Sequence, residues 1–273
     1  MVELCVNHVI TQLKMEDLKN YKEIARESRI KCLELIYRAQ VSHIGSVLGC
    51  ADIFAVLFDK IDFEKDKFIL SAGWKAAMLY FHLWKKGRIT EEELNSYCKE
   101  GSKWIGLAEP VHKDIIFAGG SMGMGISAAV ALAWSKKQRK QDGRIYVLES
   151  DGGMQVGINA EAMRFAAHHN LNNITLIIEK NGFQAMGKTE DIVKQDLREE
   201  CTAYGWSVFE INGHDHTQIE RAIYGSRDWS CPIVFIAETI KGKGVSAWEG
   251  DNLWHYAQIK ESDYDYAKIC LNS

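Results

Sequence analysis

Asp151 and Asn181 are the residues whose types and spacing first suggest chemistry. Each follows an apolar segment and precedes a glycine, in the stretches RIYVLESDGG and NITLIIEKNG. They are 30 positions apart, the length of one strand–helix–strand unit, so they can lie at the ends of adjacent parallel strands. A carboxylate, an amide oxygen and a backbone carbonyl suit Mg²⁺ or Ca²⁺, and Mg²⁺ commonly shares its ligands with phosphates. The alternative is a pair of turn residues, since Asp-Gly and Asn-Gly are common turn formers.

The glycines that follow Asp151 are compatible with a phosphate ligand. Gly152 and Gly153 carry no side chain, so their backbone N–H groups can approach phosphate oxygens closely. A helix predicted from Asn159 adds the positive end of its dipole. In a doubly wound sheet, ligands bind beyond the carboxyl ends of the strands. The stretch therefore predicts a metal-bound phosphate site at that edge.

Such a site requires a framework in which strands alternate with helices. The predicted strands are DKFILSAG, RIYVLES, NITLIIEKN, SVFEINGHD and PIVFIAETIKGKG. Helical periodicity separates most of them, which predicts an α/β fold with a mostly parallel sheet and helices on both faces. The near-continuous apolar strands predict burial on both sides of the sheet. VSHIGSVLG is predicted as a turn before the helix CADIFAVLFDKI.

Composition narrows the class of protein. The 273 residues carry a net charge of -4, with 47% hydrophobic and 26% charged residues, as in ordinary globular proteins. Neither nucleic acid nor a membrane is expected as a partner. The N-terminus lacks a signal-peptide pattern, so a cytoplasmic protein is expected. The seven cysteines include no CxxC pair, which favours reduced thiols over a zinc site.

Several stretches resemble motifs of the transketolase family in order and spacing. The family's thiamine diphosphate motif runs Gly-Asp-Gly, an acidic helix and then Asn, and it resembles SDGGMQVGINAEAMRFAAHHNLNNITLIIEKNGFQAMG. Other similar stretches are SHIGSVLGCADIFAVLF, KFILSAGWKAAMLYFHLWKKG, AGGSMGMGISAAVALA, INGHD and ETIKGKGVSAWEGDNLWHY. The resemblance covers roughly residues 20–258. It implies the diphosphate-binding fold of the family over a single domain, 1–273, with its core at about 20–258.

The resemblance also implies roles for individual residues. Asp151 and Asn181 are expected to bind Mg²⁺, or Ca²⁺, through their side chains, and Phe183 through its backbone carbonyl. Two histidines, His43 and His255, match family histidines that face the substrate and the reactive part of the cofactor. The other positions expected beside the cofactor or the subunit contact are Gly120, Met122, Ser150, Gly152, Gly153, Trp74 and Glu161.

This chain departs from the family pattern at four places. Ser150 replaces the glycine before the metal-binding aspartate, and Val156 stands where a glutamate is expected. Trp74 replaces a histidine that approaches cofactor and substrate. The segment WIGLAEPVHKDIIFAGG lacks a well-aligned Gly-His-Pro motif, since His112 is too close to Gly120. Losing two histidines that pair with substrate oxygens predicts altered substrate choice, because such sites discriminate strongly.

The chain resembles only the first part of a full transketolase. The second part of the family carries the glutamate that activates the cofactor's aminopyrimidine ring. A separate polypeptide of the transketolase C-terminal type is therefore expected, in an α2β2 assembly with the cofactor at the interface.

The resemblance implies a transferase that moves a two-carbon ketol unit from a ketose-type donor to an aldehyde or ketone, with a nonstandard sugar as the expected substrate. One alternative is a decarboxylating enzyme that uses a 2-oxo acid such as pyruvate, since the apolar wall of Trp74 suits a methyl group. Another is a regulatory subunit without catalysis. A dinucleotide-binding enzyme is disfavoured, since GGSMGMG is not a regular GxGxxG motif.

Overall fold

The computed structural model describes residues 20–273. The helices are α1 Tyr21–Ala39, α2 Ile44–Gly49, α3 Ala51–Lys60, α4 Ala76–Lys85, α5 Glu91–Asn95, α6 Met124–Gln138, α7 Asp151–Met154, α8 Ile158–His168, α9 Thr189–Ile192, α10 Leu197–Ala203, α11 His216–Gly225 and α12 Glu261–Asn272. The strands are β1 Lys67–Leu70, β2 Ile145–Ser150, β3 Ile174–Lys180, β4 Phe183–Gln184, β5 Gly187–Lys188, β6 Ser207–Asn212 and β7 Ile233–Glu238. Short 3₁₀ turns occupy Gly73–Lys75, Ser226–Asp228 and Asn252–His255.

Five strands form one parallel sheet in the order β1-β2-β3-β7-β6. Strands β2 and β3 are neighbours, and Ser150 pairs with Glu179 near their carboxyl ends. The residues that follow these two strands therefore meet at one edge of the sheet. The short strands β4 and β5 form a separate antiparallel hairpin just beyond β3.

Alternating residues of the strands point into two separate apolar layers. On one face, Tyr146 and Leu148 of β2 pack with residues of α1, α3 and α4. On the other face, Ile145 and Val147 pack with residues of α6, α8 and α10. This division confirms the predicted parallel sheet with helices on both faces.

Local differences from the sequence expectations have simple causes. VSHIGSVLG is not only a turn, because Ile44–Gly49 forms a buried helix directly before α3. Strand β6 alternates between partly buried and exposed residues, since it lies at the sheet edge and has one neighbour. The chain continues past residue 258 into α12, which packs against α1 and buries Ala267 and Leu271.

In residues 20–273, no helix is both long and apolar enough to cross a membrane. The six cysteines of this part of the chain are free, and three of them, Cys32, Cys50 and Cys201, are buried.

Candidate functional site

Asp151 lies at the carboxyl end of β2 and is only 3% exposed. Its Oδ1 accepts the N–H of Gly152 at 3.0 Å, and its Oδ2 accepts the N–H of Gly182 at 2.8 Å. The second contact joins the turn after β2 to the turn after β3. Within the described residues, the carboxylate forms no ion pair with a cationic side chain.

Asn181 and Phe183 lie directly beside this carboxylate, in the turn after β3. The Asn181 Oδ1 accepts the N–H of Phe183 at 3.0 Å, while its Nδ2 donates to both oxygens of Glu179 at 3.2 and 3.1 Å. The structure thus brings together the three residues expected to bind a metal, and it orients the Asn181 oxygen away from Glu179.

The turn after β2 is built tightly around its glycines. The Ser150 hydroxyl accepts the N–H of Gly153 at 2.9 Å, so this serine caps the first turn of α7. The carbonyl of Gly153 accepts Asn159 Nδ2 at 2.8 Å. A side chain at Gly153 would meet the Glu149 carboxylate at 2.1 Å, so glycine is required here by packing. In this arrangement both glycine N–H groups are engaged within the turn.

Trp74 and the glycines before α6 come from two segments that touch through their backbones. A Cβ on Gly73 would lie 2.2 Å from the carbonyl oxygen of Gly119. This close approach places the 3₁₀ turn that carries Trp74 against the turn that carries Gly120 and Met122. Met122 is 39% exposed, so the surface of this turn is open to a ligand or a partner chain.

His43 and His255 form a pair. The backbone N–H of His43 donates to the His255 carbonyl at 2.9 Å, and the two imidazole centroids are 5.0 Å apart. His43 adopts a left-handed conformation (φ 77°) at the start of α2. Trp74 lies 6.5 Å from the His43 ring, which places the three residues in one aromatic group.

Two residues that were not singled out from the sequence, Lys241 and Tyr256, lie against the two histidine rings. The Lys241 ammonium contacts His255 Nδ1 at 2.9 Å and Asn252 Oδ1 at 2.7 Å. Tyr256 stacks edge-on against both histidines and is 61% exposed. The only sequence signal for Lys241 is its position in the motif ETIKGKG.

Burial and nearby cations keep the two histidines neutral. Burial, with Lys75 and Lys241 nearby, lowers the pKa of His43 to about 4. Burial and the adjacent Lys241 lower the pKa of His255 to about 3. Burial and the charge of Lys75 likewise lower the pKa of Lys241 to about 8. Both imidazoles are therefore neutral near pH 7, where they bind a further proton only weakly. Each neutral ring has one N–H group that can donate a hydrogen bond.

Three buried ionisable residues near the strand ends were missed by sequence reasoning. Glu149, Glu179 and Lys75 are all 0% exposed. Lys75 Nζ lies 3.1 Å from Glu179 Oε2, and Glu149 accepts a hydrogen bond from the Ser71 hydroxyl. Burial raises the pKa of the Glu149 carboxyl. The sequence could have indicated these residues, because each is a charged residue within a stretch of mainly apolar or small residues. The three stretches are VLES, IIEKN and AGWKAA.

Other residues considered from the sequence lie apart from these contacts. Glu161 is exposed on the first turn of α8. Val156 fills space beside Gly123, whose hypothetical Cβ would lie 2.9 Å from the valine Cβ. His112 contacts Asp114 and the ring of Trp104.

A cleft of about 480 Å³ opens beside Asp151, and its walls include Gln155, Gly182, Phe183 and Thr189. This volume lies within the roughly 300–1,000 Å³ typical of small-molecule sites. Burial and the neighbouring Glu179 raise the pKa of Asp151 to about 6, although the N–H groups of Gly182 and Gly152 and the charge of Lys75 oppose this. A buried carboxylate that forms no ion pair within the described residues, beside an amide oxygen, fits a divalent cation that also carries a diphosphate.

Comparison with known proteins agrees with this geometry. Residues 20–272 match the family described as "Transketolase, thiamine diphosphate binding domain". The chain is 31% identical over 255 residues to one subunit of the apulose-4-phosphate transketolase of Phocaeicola vulgatus, covering 89% of this chain and 90% of that protein. It is 34% identical over 238 residues to the subunit of the same name from Actinobacillus succinogenes, covering 82% and 86%.

The similarity extends to longer proteins and to the fold. The transketolase of Homo sapiens is 30% identical over 254 residues, which cover 88% of this chain and 40% of that protein. The crystal structure of transketolase from Campylobacter jejuni superimposes with a TM-score of 0.88 at 29% identity, covering 92% of this chain and 42% of that one. The chain therefore spans most of both apulose-4-phosphate transketolase subunits but less than half of these longer transketolases.

Proposed function

This chain belongs to the transketolase family, and we propose that it is the metal- and diphosphate-binding subunit of a two-component enzyme that transfers a two-carbon ketol unit. The observation that carries this proposal is the buried Asp151 carboxylate, which has no ion pair within residues 20–273 and joins the Asn181 turn at adjacent strand ends. The enzyme class is a transferase of aldehyde or ketone groups.

Mg²⁺ is the proposed metal, held by the Asp151 carboxylate, the Asn181 Oδ1 and the Phe183 carbonyl. Gly152 and Gly153 keep the turn free of side chains next to the diphosphate. Ser150 caps this turn in place of the usual glycine. When bound, thiamine diphosphate supplies the electron sink for carbanion chemistry at a carbonyl carbon.

His43 and His255 are the proposed groups that contact the substrate. Because both imidazoles are neutral, each can hold a substrate hydroxyl or carbonyl oxygen with its ring N–H. Lys241 donates to Nδ1 of His255, so the Nε2–H of His255 is the group available to donate to the substrate. Gly120, Met122 and Trp74 form the neighbouring walls beside the cofactor.

The second component is proposed to be a transketolase C-terminal-type chain that supplies the glutamate for aminopyrimidine activation. The similarity to a protein named as one subunit of its enzyme supports this, since 89% of this chain matches 90% of that subunit. We propose an α2β2 assembly in the cytoplasm, with this chain as one domain and with Glu161 near the subunit contact.

The substrate is proposed to be a nonstandard ketose phosphate. Trp74 places an indole where the family has a histidine, so a ring that can both donate and accept a hydrogen bond is replaced by a larger ring that can only donate. The names of the two bacterial relatives make apulose 4-phosphate a candidate donor for testing.

Reconstitution tests the function directly. The tagged chain is isolated from its source with the partner chain it recruits, and ketol transfer is measured for apulose 4-phosphate, xylulose 5-phosphate and pyruvate. We expect transfer from a ketose phosphate that requires both chains, thiamine diphosphate and Mg²⁺. Full transfer by the isolated chain would refute the two-component proposal.

The same assay separates the alternatives. Release of carbon dioxide from pyruvate, with no transfer from any ketose, would identify the decarboxylating enzyme that the apolar ring of Trp74 also suits. Absence of thiamine diphosphate binding in calorimetry, alone and with the partner chain, would identify a regulatory chain.

A further inference from the structure

We propose that Lys75 and Glu179 are positioning residues that hold the Asn181 amide with its oxygen toward the metal. This inference rests on the proposed function, because it concerns the same metal site. Neither residue is itself placed in contact with the metal or the substrate. Both act through the side chain of Asn181.

Glu179 is surrounded by donors on every side. Its Oε1 accepts Asn181 Nδ2 at 3.2 Å and the Thr239 hydroxyl at 2.7 Å. Its Oε2 accepts Asn181 Nδ2 at 3.1 Å and lies 3.1 Å from Lys75 Nζ. Three of these contacts are hydrogen bonds and the fourth is the charge of Lys75, so both carboxylate oxygens are already engaged. Because the side chain is also fully buried, its effect is exerted through these neighbours.

The contact with Asn181 determines which end of the amide faces the metal position. The Nδ2 group is held by the glutamate, and Oδ1 is turned to the Phe183 N–H on the other side. Rotating the amide by half a turn would place its oxygen against the Glu179 carboxylate and its NH₂ group toward the cation. Both new contacts would be repulsive, so an ionised Glu179 selects the metal-binding orientation.

The positive charge of Lys75 offsets the free-energy cost of burying the Glu179 carboxylate in its ionised form. Both side chains are 0% exposed, and an unpaired buried carboxylate would cost several kcal/mol. The ammonium makes no aligned hydrogen bond within the described residues, so its contribution is that of a nearby charge. Burial is the largest single influence and lowers the pKa of Lys75, but Glu179, Cys50 and Asp151 together outweigh it, so the pKa is raised.

The position of Lys75 in the fold links the two halves of the site. It ends the 3₁₀ turn Gly73–Lys75 that also carries Trp74, and its ammonium lies 5.3 Å from the Trp74 ring. The residue that replaces the expected histidine and the residue that counters Glu179 are thus consecutive in the chain. The stretch SAGWKAA therefore places the indole of Trp74 where the family has a histidine. Its next residue, Lys75, lies beside the Glu179 carboxylate that holds the Asn181 amide.

Magnesium affinity and protein stability distinguish a positioning role from a merely structural ion pair. The test uses the full chain with the partner chain it recruits, saturated with thiamine diphosphate and titrated with Mg²⁺ in a calorimeter. Variants are Lys75→Met, Glu179→Gln and the double variant, each also unfolded thermally. Lys60→Met is the matched control, because Lys60 forms a largely buried ion pair with Glu220 at 2.7 Å elsewhere in the fold.

We expect each single variant to bind Mg²⁺ about tenfold or more weakly, as is typical when an outer-shell partner is lost. The double variant removes both charges together, so its unfolding midpoint should recover toward that of the wild type. Its Mg²⁺ affinity should remain as low as that of Glu179→Gln, because the two residues act through one amide. Lys60→Met should lower the unfolding midpoint and leave Mg²⁺ affinity unchanged.

Wild-type Mg²⁺ affinity in all three site variants would overturn the inference while leaving the proposed function intact. Absence of Mg²⁺-dependent binding in the wild type would instead overturn the proposed function and this inference with it. If Lys75→Met does not fold, Thr239→Val removes a different donor to Glu179 and should still weaken Mg²⁺ binding. An unchanged affinity in Thr239→Val and in the double variant would also contradict the inference.

Discussion

Lys241 Nζ lies 2.9 Å from Nδ1 of His255, so the ammonium donates to that nitrogen and leaves the imidazole proton on Nε2. The lysine therefore determines the tautomer of His255. Burial contributes most to the low proton affinity of the ring, and Lys241, His43 and Lys75 add to it, so that together they lower the pKa of His255 to about 3.

Lys241→Met should raise the pKa of His255 toward its unperturbed value of about 6.5. The physical reason is the loss of a positive charge and of a hydrogen bond that requires an unprotonated Nδ1. NMR titration of the histidine ring resonances measures this shift. Lys103→Met serves as the control, because Lys103 is 51% exposed and pairs with Glu93. An unshifted His255 titration in Lys241→Met would contradict the assignment.

Mild acid should destabilise the protein through His43. The folded-state pKa of His43 is lowered to about 4 by burial and by Lys75 and Lys241, while the unfolded chain binds a proton below about 6.5. The unfolded state thus binds more protons between these values, and stability falls as the pH drops through that window. Urea unfolding at pH 7 and pH 5 should show a smaller loss for His43→Gln than for the wild type. Equal losses in the two proteins would exclude His43 as the cause.

Asp52→Asn should destabilise the fold by about 3–5 kcal/mol, the usual effect of breaking a buried charged pair. Asp52 pairs with Arg29, and it accepts His214 Nδ1 and His216 Nε2 at 2.8 Å each. Burial raises the pKa of this carboxyl, but the two histidines and Arg29 together hold it well below its usual range. The ionised form therefore stabilises the fold above the unfolded pKa of about 4, and that contribution is lost in stronger acid.

Denaturant unfolding measures the Asp52→Asn effect. Glu23→Gln is the control, since Glu23 forms an exposed ion pair with Arg26 on α1. Its unfolding midpoint should match that of the wild type. A similar midpoint for Asp52→Asn would show that the network contributes nothing to stability.

Gly73→Ala should disrupt the contact between the two turns beside Trp74. The new Cβ would lie 2.2 Å from the Gly119 carbonyl oxygen, so one backbone must move. We expect a loss of about 1–3 kcal/mol or more together with weaker thiamine diphosphate binding. Gly157→Ala is the matched control, because its Cβ would meet nothing within 4 Å and its φ of -59° suits alanine. Equal thermal midpoints in the two variants would rule out the close approach as a constraint.

Trp74→His should shift the substrate preference toward the phosphorylated ketoses used by ordinary transketolases. A histidine can restore one hydrogen bond to a substrate oxygen, worth about threefold to tenfold in kcat/KM. The measurement is the ratio of kcat/KM for xylulose 5-phosphate to that for the preferred donor. Trp74→Phe keeps an aromatic ring, removes the indole N–H and adds no acceptor, and it should retain the wild-type ratio. The same shift in both variants would assign the preference to the size of the side chain.

Periodicity and turn chemistry in the sequence predicted the parallel sheet and the helices on both of its faces. Asp151 and Asn181 could be paired from sequence, because each directly follows a strand and parallel strands end at the same edge. Ile44–Gly49 could not be predicted as helix, since its small and apolar residues become helical only when buried between larger elements. The histidines needed the family resemblance, because a lone histidine has no sequence pattern of its own.

The amino-acid sequence by itself determined the order of strands and helices and the glycine turn that carries Asp151. Both depend on neighbours within a few residues of the chain. Only the tertiary structure placed Lys75 beside Glu179 and Lys241 beside His255. Those contacts join segments that are distant in the chain, and electrostatic energy depends on separation in space and on burial. The support of the Asn181 amide and the tautomer of His255 are therefore properties of the folded chain, which its local sequence does not show.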